Sequence, residues 1–114
     1  MPDDLFLKIV NREIPADIVH ETDRILAFRD INPQAPVHIL VIPKQRVATL
    51  DDAEPAHAKL LGDLFLAAAQ IARHEGIDKA GYRVVMNCGE AGGQTVHHIH
   101  VHLLGGRQMS WPPG

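Results

Sequence analysis

The chain has 114 residues, 46% hydrophobic and 22% charged, with a formal net charge of -3 at pH 7, the profile of one globular domain that buries roughly two thirds of its unfolded surface. That balance excludes a disordered or fibrous chain and lacks the basic footprint of a duplex binder, so no nucleic acid is expected as a partner. The single cysteine, Cys88, excludes an internal disulfide and agrees with a reducing compartment.

The opening Met1-Pro2-Asp3-Asp4 is acidic where a signal peptide carries positive charge, and no apolar run approaches the roughly 20 residues of a membrane span. A cytoplasmic protein without a membrane partner is therefore expected. Asp3 or Asp4 is placed to cap a short helix carrying Leu5, Phe6, Ile9 and Val10, which ends before Pro15. Ile18-Val19 and Ile25-Leu26-Ala27-Phe28, separated by the polar Glu21-Thr22-Asp23-Arg24, read as a hairpin, and Asp30-Ile31-Asn32-Pro33 leaves its second strand. Val37 to Ile42 is dense in β-branched residues and stops at Pro43, as a central strand does, with His38 near its start.

From Pro55 to Glu75 the apolar residues Leu60, Leu61, Leu64, Phe65, Ala68, Ile71 and Ala72 recur at helical spacing, and Gly76 sits at the C-terminal cap. Tyr82 to Asn87 and His98 to Leu104 supply two further strands, joined by the Gly-rich Gly89-Glu90-Ala91-Gly92-Gly93-Gln94. Five strands joined mostly by turns, with one long and one short helix, predict an α+β fold built on a five-stranded antiparallel sheet. No repeat or linker divides residues 1–114, which read as one domain with 105–114 as a C-terminal tail. Cys88 reads as a small buried residue with no catalytic role.

Eight histidines in so short a chain direct attention to imidazole chemistry. In His98-Ile99-His100-Val101-His102-Leu103-Leu104 histidine alternates with aliphatic residues, and a period of two sends the three imidazoles to one face. Same-face neighbours lie about 6.6 Å apart, so one phosphate reaches two of them. Neutral imidazole, with an ordinary pKa of about 6.5, is a competent nucleophile near neutral pH. The same alternation also suits a zinc or transition-metal site, and on these residues alone the two readings stand even. His97 is out of phase with the triad, and with His20, His57 and His74 reads as solvated or packing.

The His98 to Leu104 segment resembles the HφHφHφφ motif (φ hydrophobic) of the histidine triad family of nucleotide hydrolases and transferases. The stretches 30–38, Val41-Ile42-Pro43-Lys44, Gly92-Gly93-Gln94-Thr95-Val96 and Trp111-Pro112-Pro113-Gly114 resemble its histidine triad nucleotide-binding branch, and together they cover essentially the whole chain. The resemblance implies that His100 attacks an α-phosphorus to give a nucleotidyl-imidazole that water hydrolyses, with His102 and His98 contacting phosphate and orienting the nucleophile, and His38 extending their network. It makes Asp30 the ribose ligand. Ile31, Phe28, Phe6, Ile9 and Leu40 would wall the base, and Asn87, Gln94, Thr95 and the loop at Gly93 would surround the phosphate with neutral donors.

The implied activity is hydrolysis of purine nucleoside phosphoramidates (of the AMP phosphoramidate type) or acyl adenylates, without a cofactor. Rival readings are a dinucleoside polyphosphate hydrolase and a nucleotide-binding regulatory protein with weak catalysis. The family further implies a homodimer forming one larger sheet, with the tail near the active site. Some relatives hold a structural zinc with paired cysteines before the lysine of the first helix; here Asp4 and Leu7 fill those places ahead of Lys8, so no metal site is expected. Ser110 stands before Trp111 where certain relatives carry histidine, so specificity attributed to that histidine does not transfer.

Overall fold

A computed structural model describes residues 4–114. Short helix α1 (Leu5–Val10) precedes strands β1 (Ile18–Glu21), β2 (Ile25–Arg29) and β3 (Val37–Pro43); long helix α2 (Ala58–His74) then leads to β4 (Tyr82–Val85) and β5 (Val101–Gly105). The strands form one antiparallel sheet in the order β1-β2-β3-β5-β4. The α+β class predicted from turn-linked strands is the observed one. No described helix is long and apolar enough to cross a membrane.

The sheet is covered on both faces, which explains why β3 reads as a continuous apolar run rather than an alternation. Ile39 and Val41 face α2 with Ile25, Ala27, Val101 and Leu103. Leu40 and Ile42 face the other way, toward Phe6 and Ile9 of α1. On α2 the buried Leu60, Leu64, Ala67, Ala68, Ile71 and Ala72 form one stripe at the i, i+4, i+7, i+8 spacing. Leu64 has no exposed surface, and burying such a side chain stabilises by about 1.5–3 kcal/mol. Past the helix end, Gly76 takes φ +75° and returns its N–H to the Arg73 carbonyl, a backbone shape open to glycine at little cost.

Several local expectations are corrected. Asp4 precedes α1 but makes no side-chain cap; it forms an exposed ion pair with Lys8 at 3.7 Å, and Asp3 lies outside the described residues. The helix expected from Pro55 begins at Ala58, after 3-10 turns at Leu50–Asp52 and Pro55–His57, the second closed by a reciprocal Glu54–His57 capping box. Cys88 is exposed, not buried.

The last strand begins at Val101 rather than His98. Its neighbour β3 ends at Pro43, and upstream of Val101 the Ile99 N–H turns to the Val47 carbonyl instead. β4 ends at Val85, whose partner is His102, because the next residue of that row on β5, His100, has already left the ladder; Asn87 thus lies beyond the strand. The alternation persists where the ladder does not. Ile99 still packs under α2 while the His98 and His100 rings lie edge-on to Phe6 at 5.6 and 5.1 Å.

Candidate active site

On the face opposite α2, two cavities formed by the described residues meet at His102. The larger, of about 390 Å³, lies between α1 and the sheet, with apolar walls from Phe6, Ile9, Phe28 and Leu40 and with Asp30, His100 and His102 at its polar side. Ile31 and Thr95 also reach it, yet Ile31 is fully exposed at 101%, so it can flank a ligand at the rim but is not a buried wall. The second cavity, of about 270 Å³, has His38, His102 and Asn87 in its lining. His102 is common to both.

Four hydrogen bonds settle the histidine tautomers. A carbonyl oxygen only accepts, so His100 Nδ1–H donates to the His98 carbonyl at 2.8 Å, and the lone pair of His100 is left on Nε2. His98 Nε2–H likewise donates to the Pro43 carbonyl at 2.7 Å. His38 Nδ1 accepts from the Gln34 N–H at 3.0 Å, so its proton is on Nε2 and is donated to His102 Nδ1 at 2.9 Å. His102 therefore carries its own proton on Nε2. The imidazoles of His100 and His102 stand 4.9 Å apart, centre to centre.

Burial makes these rings reluctant to charge. His38, His98 and His100 are all held below the ordinary histidine value, first by desolvation, with the Asp30 carboxylate opposing the shift at His38 and His100 and the Pro43 carbonyl opposing it at His98. His102 is pushed down to about 4, by burial first and then by the neighbouring His100 and His38. All four rings are neutral near pH 7.

Asp30 sits where β2 releases the chain. Its N–H bonds to the His38 carbonyl at 3.0 Å, its Oδ1 accepts from the Asn32 N–H at 2.8 Å, and its Oδ2 lies 3.5 Å from His38 Nε2. Asp30, His38 and His102 are the described residues that come together with metal-ligand chemistry, their donor atoms within 4.8 Å of one another. Holding a cation there requires removal of the proton His38 gives to His102.

The structure redistributes the remaining predicted contacts. Both amide hydrogens of Gln94 go to the carbonyls of Ala48 and Val96, and its oxygen accepts from the Gly89 N–H, so Gln94 braces the loop and offers no donor to a phosphate. The Gly93 and Gln94 N–H groups are likewise taken, by the carbonyls of Glu90 and Gly89. Glycine is required at 92 for packing, because a Cβ there would strike the Cys88 carbonyl oxygen. His98 lines neither cavity. It is wholly buried and acts on His100 through its backbone oxygen, while its Nδ1 is without a hydrogen-bond partner among the described residues.

Arg83 and Val85 of the second cavity were not anticipated. The readable signal was the arginine in Tyr82-Arg83-Val84-Val85: with a period of two, Arg83 shares the face of Val85, whose β5 partner is His102.

This geometry coincides with the motif match. The HIT domain model matches residues 11–109. The chain belongs to the HIT domain family. An uncharacterised HIT-like protein of Synechococcus elongatus is 62% identical to it, over 98% of this chain and 97% of that one. A protein of Arabidopsis thaliana named adenylylsulfatase HINT1 is 54% identical over 96% of this chain and 76% of its own length, which places the sequence by the nucleotide-binding branch of the family. Among solved structures, a HIT family hydrolase from Legionella pneumophila superposes with a TM-score of 0.95 at 54% identity, covering 96% of this chain and 98% of that one. Family and neighbours together support hydrolase chemistry for this HIT protein.

Proposed function

We propose that this HIT protein hydrolyses purine nucleoside phosphoramidates or acyl adenylates at the α-phosphate through a nucleotidyl-His100 intermediate. The observation that carries the reading is the hydrogen bond from His100 Nδ1 to the His98 carbonyl, which holds a buried, neutral imidazole with its Nε2 lone pair free. The apolar cavity between α1 and the sheet receives the nucleoside, and the Asp30 carboxylate at its edge accepts from the ribose hydroxyls.

The chemistry follows from the proton positions. His100 Nε2 forms a bond to the α-phosphorus as the P–N bond opposite breaks, and the departing amine takes the proton from His102 Nε2. For an acyl adenylate the P–O bond breaks and the carboxylate leaves without a proton. After a phosphoramidate, water gives its proton to the now bare His102 Nε2, attacks phosphorus and releases His100; after an acyl adenylate His102 keeps its proton and the attacking water gives its proton to bulk solvent. His38 holds His102 in the tautomer that makes both transfers possible. Asn87 and Thr95 supply neutral donors at the phosphate, and no metal enters.

A homodimer is part of the proposal. β4 is an edge strand, Tyr82 on it is partly exposed, and Phe65 and Leu66 on α2 are exposed at 46% and 70%, surface that a second copy of the chain would cover. A cytoplasmic location agrees with the single unpaired cysteine. The deciding experiment is rapid acid quench with adenosine phosphoramidate labelled on the α-phosphate. Label trapped on the parent and absent from His100→Ala is the expected result; equal labelling overturns the mechanism.

A further inference from the structure

The grip on the end of β2 bears on Asp30, the residue assigned to the ribose. Asp30 is the first residue beyond the strand, and residues 31–34 after it are exposed, so its aim depends on the strand end that carries it. On the β3 side that end is firmly held: Arg29 pairs with Ile39, and the Asp30 N–H reaches the His38 carbonyl at 3.0 Å. The β1 side is weaker. β1 has four residues, its register with β2 shifts between Ile18 and His20, and the contact from the Arg29 N–H to the Asp17 carbonyl, at 3.0 Å, falls before β1 begins.

The Arg29 side chain supplies a second hold. Its Nη1 and Nη2 donate to the two oxygens of Glu75 at 2.9 and 3.0 Å, a forked contact that fixes direction as well as distance. The Glu75 side chain, at the C-terminal cap of α2, is 15% exposed, whereas that of Asp17, 3.5 Å from Arg29 Nε, is 71% exposed and adds little. The pair thus ties the end of the long helix to the end of the strand. It is internal to one chain, with β3 and β5 between β2 and the edge strand β4, so it requires no free surface at that edge. With its charge met by Glu75, the guanidinium does not compete for the adjacent Asp30 carboxylate, whose oxygens face the Asn32 N–H at 2.8 Å and His38 Nε2 at 3.5 Å.

We propose that Arg29 and Glu75 form a positioning clamp for Asp30, setting the angle at which its carboxylate meets the sugar, so that this pair governs discrimination between ribose and 2′-deoxyribose. The inference rests on the ribose role given to Asp30 above. Neither clamp residue touches the reacting atoms. A carboxylate hydrogen bond weakens steeply when its angle is wrong, so slackening the strand end costs the contact to the 2′-hydroxyl while leaving the apolar walls around the base in place. The histidines are held by their own partners, the carbonyls of His98 and Pro43 and the His38 ring, and keep their geometry when the clamp is opened.

The test is calorimetric binding of adenosine 5′-monophosphate and of its 2′-deoxy analogue to the parent, Glu75→Gln, Arg29→Met, the double variant and Asp30→Ala. The parent prefers the ribonucleotide by about tenfold, the size of one hydrogen bond to a charged group. In Glu75→Gln and in Arg29→Met the preference falls to about threefold or less while affinity for the deoxynucleotide is unchanged, and the double variant loses no more than either single one, because the two residues act as a unit. Arg29→Lys, which keeps the charge but not the fork, retains part of the preference. With adenosine phosphoramidate as substrate, Glu75→Gln raises KM and leaves kcat at the parent value. Taking the ratio of the two affinities on each preparation removes differences in folded fraction. A preference that survives in both single variants but is lost in Asp30→Ala overturns the clamp and leaves the ribose role intact. Equal weakening of both nucleotides also overturns it, by making the pair a support of the whole cavity. Equal affinities in the parent overturn the ribose role and the clamp together.

Discussion

The two faces of the sheet are made by the same strands and do opposite things with burial. Under α2, the apolar side chains Ile39, Val41, Val101 and Leu103 are excluded from water, and their exclusion contributes stability. On the other face, exclusion falls on His38, His100 and His102, where it contributes no comparable stabilisation but holds the rings neutral and frees one nitrogen as a nucleophile. The lesson is that a site can lie within the folded body and still be separable from the core, provided each reacting ring is held by a specific partner at one nitrogen. His100 meets that condition through one carbonyl, and His102 through His38.

Separability makes predictions on each face. The largest effect is on catalysis. His100→Ala removes the nucleophile, and kcat for adenosine phosphoramidate should fall by about four to six decades, roughly 5.5 to 8 kcal/mol of transition-state stabilisation, while affinity for the nucleoside monophosphate changes far less. Steady-state kinetics beside a binding isotherm checks it, and a loss under tenfold removes His100 from that role. Replacing His98 or His102 should cost less, since each acts by orientation or proton transfer.

The converse substitution is Leu64→Ala, beneath the sheet. It should destabilise by about 2–5 kcal/mol through lost burial and a cavity, with kcat per folded molecule unchanged. Denaturant unfolding and active-site titration together report both quantities. A parallel loss of kcat would mean that the two faces are coupled.

Lowering pH probes both faces at once. The folded-state pKa values of the four histidines lie below the unfolded value of about 6.5, so the unfolded chain binds protons first. Their neutral forms are fully favourable above that value, and stability is lost as pH falls from about 6.5 toward the folded values, which for His102 is about 4. Because the attacking imidazole must be neutral, kcat should persist below pH 6.5 and then decline about tenfold per unit once His100 protonates. A pH–rate profile that breaks at or above pH 6.5 contradicts the assigned burial.

Asp30→Ala should act more gently. Its ribose contact is made equally in the ground and transition states, so KM should rise, by about tenfold, more than kcat falls, and the parent should prefer ribo- over deoxyribonucleotides. Equal turnover of both sugars removes that role. The smallest expected effect is none: dialysis against a strong chelator should leave turnover intact, whereas a rate abolished and restored by zinc would assign Asp30, His38 and His102 to a metal.

Much of this was legible in the chain itself. Alternation in His98 to His102, the helical spacing of Leu60, Leu64, Ala68 and Ile71, and the turn-forming breaks between strands are local patterns whose periods identify their elements without tertiary information. They sufficed for the α+β sheet, the long helix and the common face of the three histidines. They did not reveal that His98 turns to the Pro43 carbonyl, nor that one Gln94 amide hydrogen goes to Ala48, because those partners lie 55 and 46 residues away along the chain. Polar satisfaction is a property of the closed structure, and a side chain's type does not say which acceptor it will find.

The same division holds for charge. That Arg29, Arg83 and Arg107 are cations follows from the sequence alone; that Arg29 is neutralised by Glu75 while the other two are held by carbonyls depends on how α2 and the tail dock. Covalent composition determined the periodicities, the imidazoles and their spacing, all of which act over a few residues. Only folding decided which ring keeps a free nitrogen, which ring is too buried to charge, and which guanidinium remains without a counter-ion, since desolvation and pairing are set by groups brought together from distant parts of the chain.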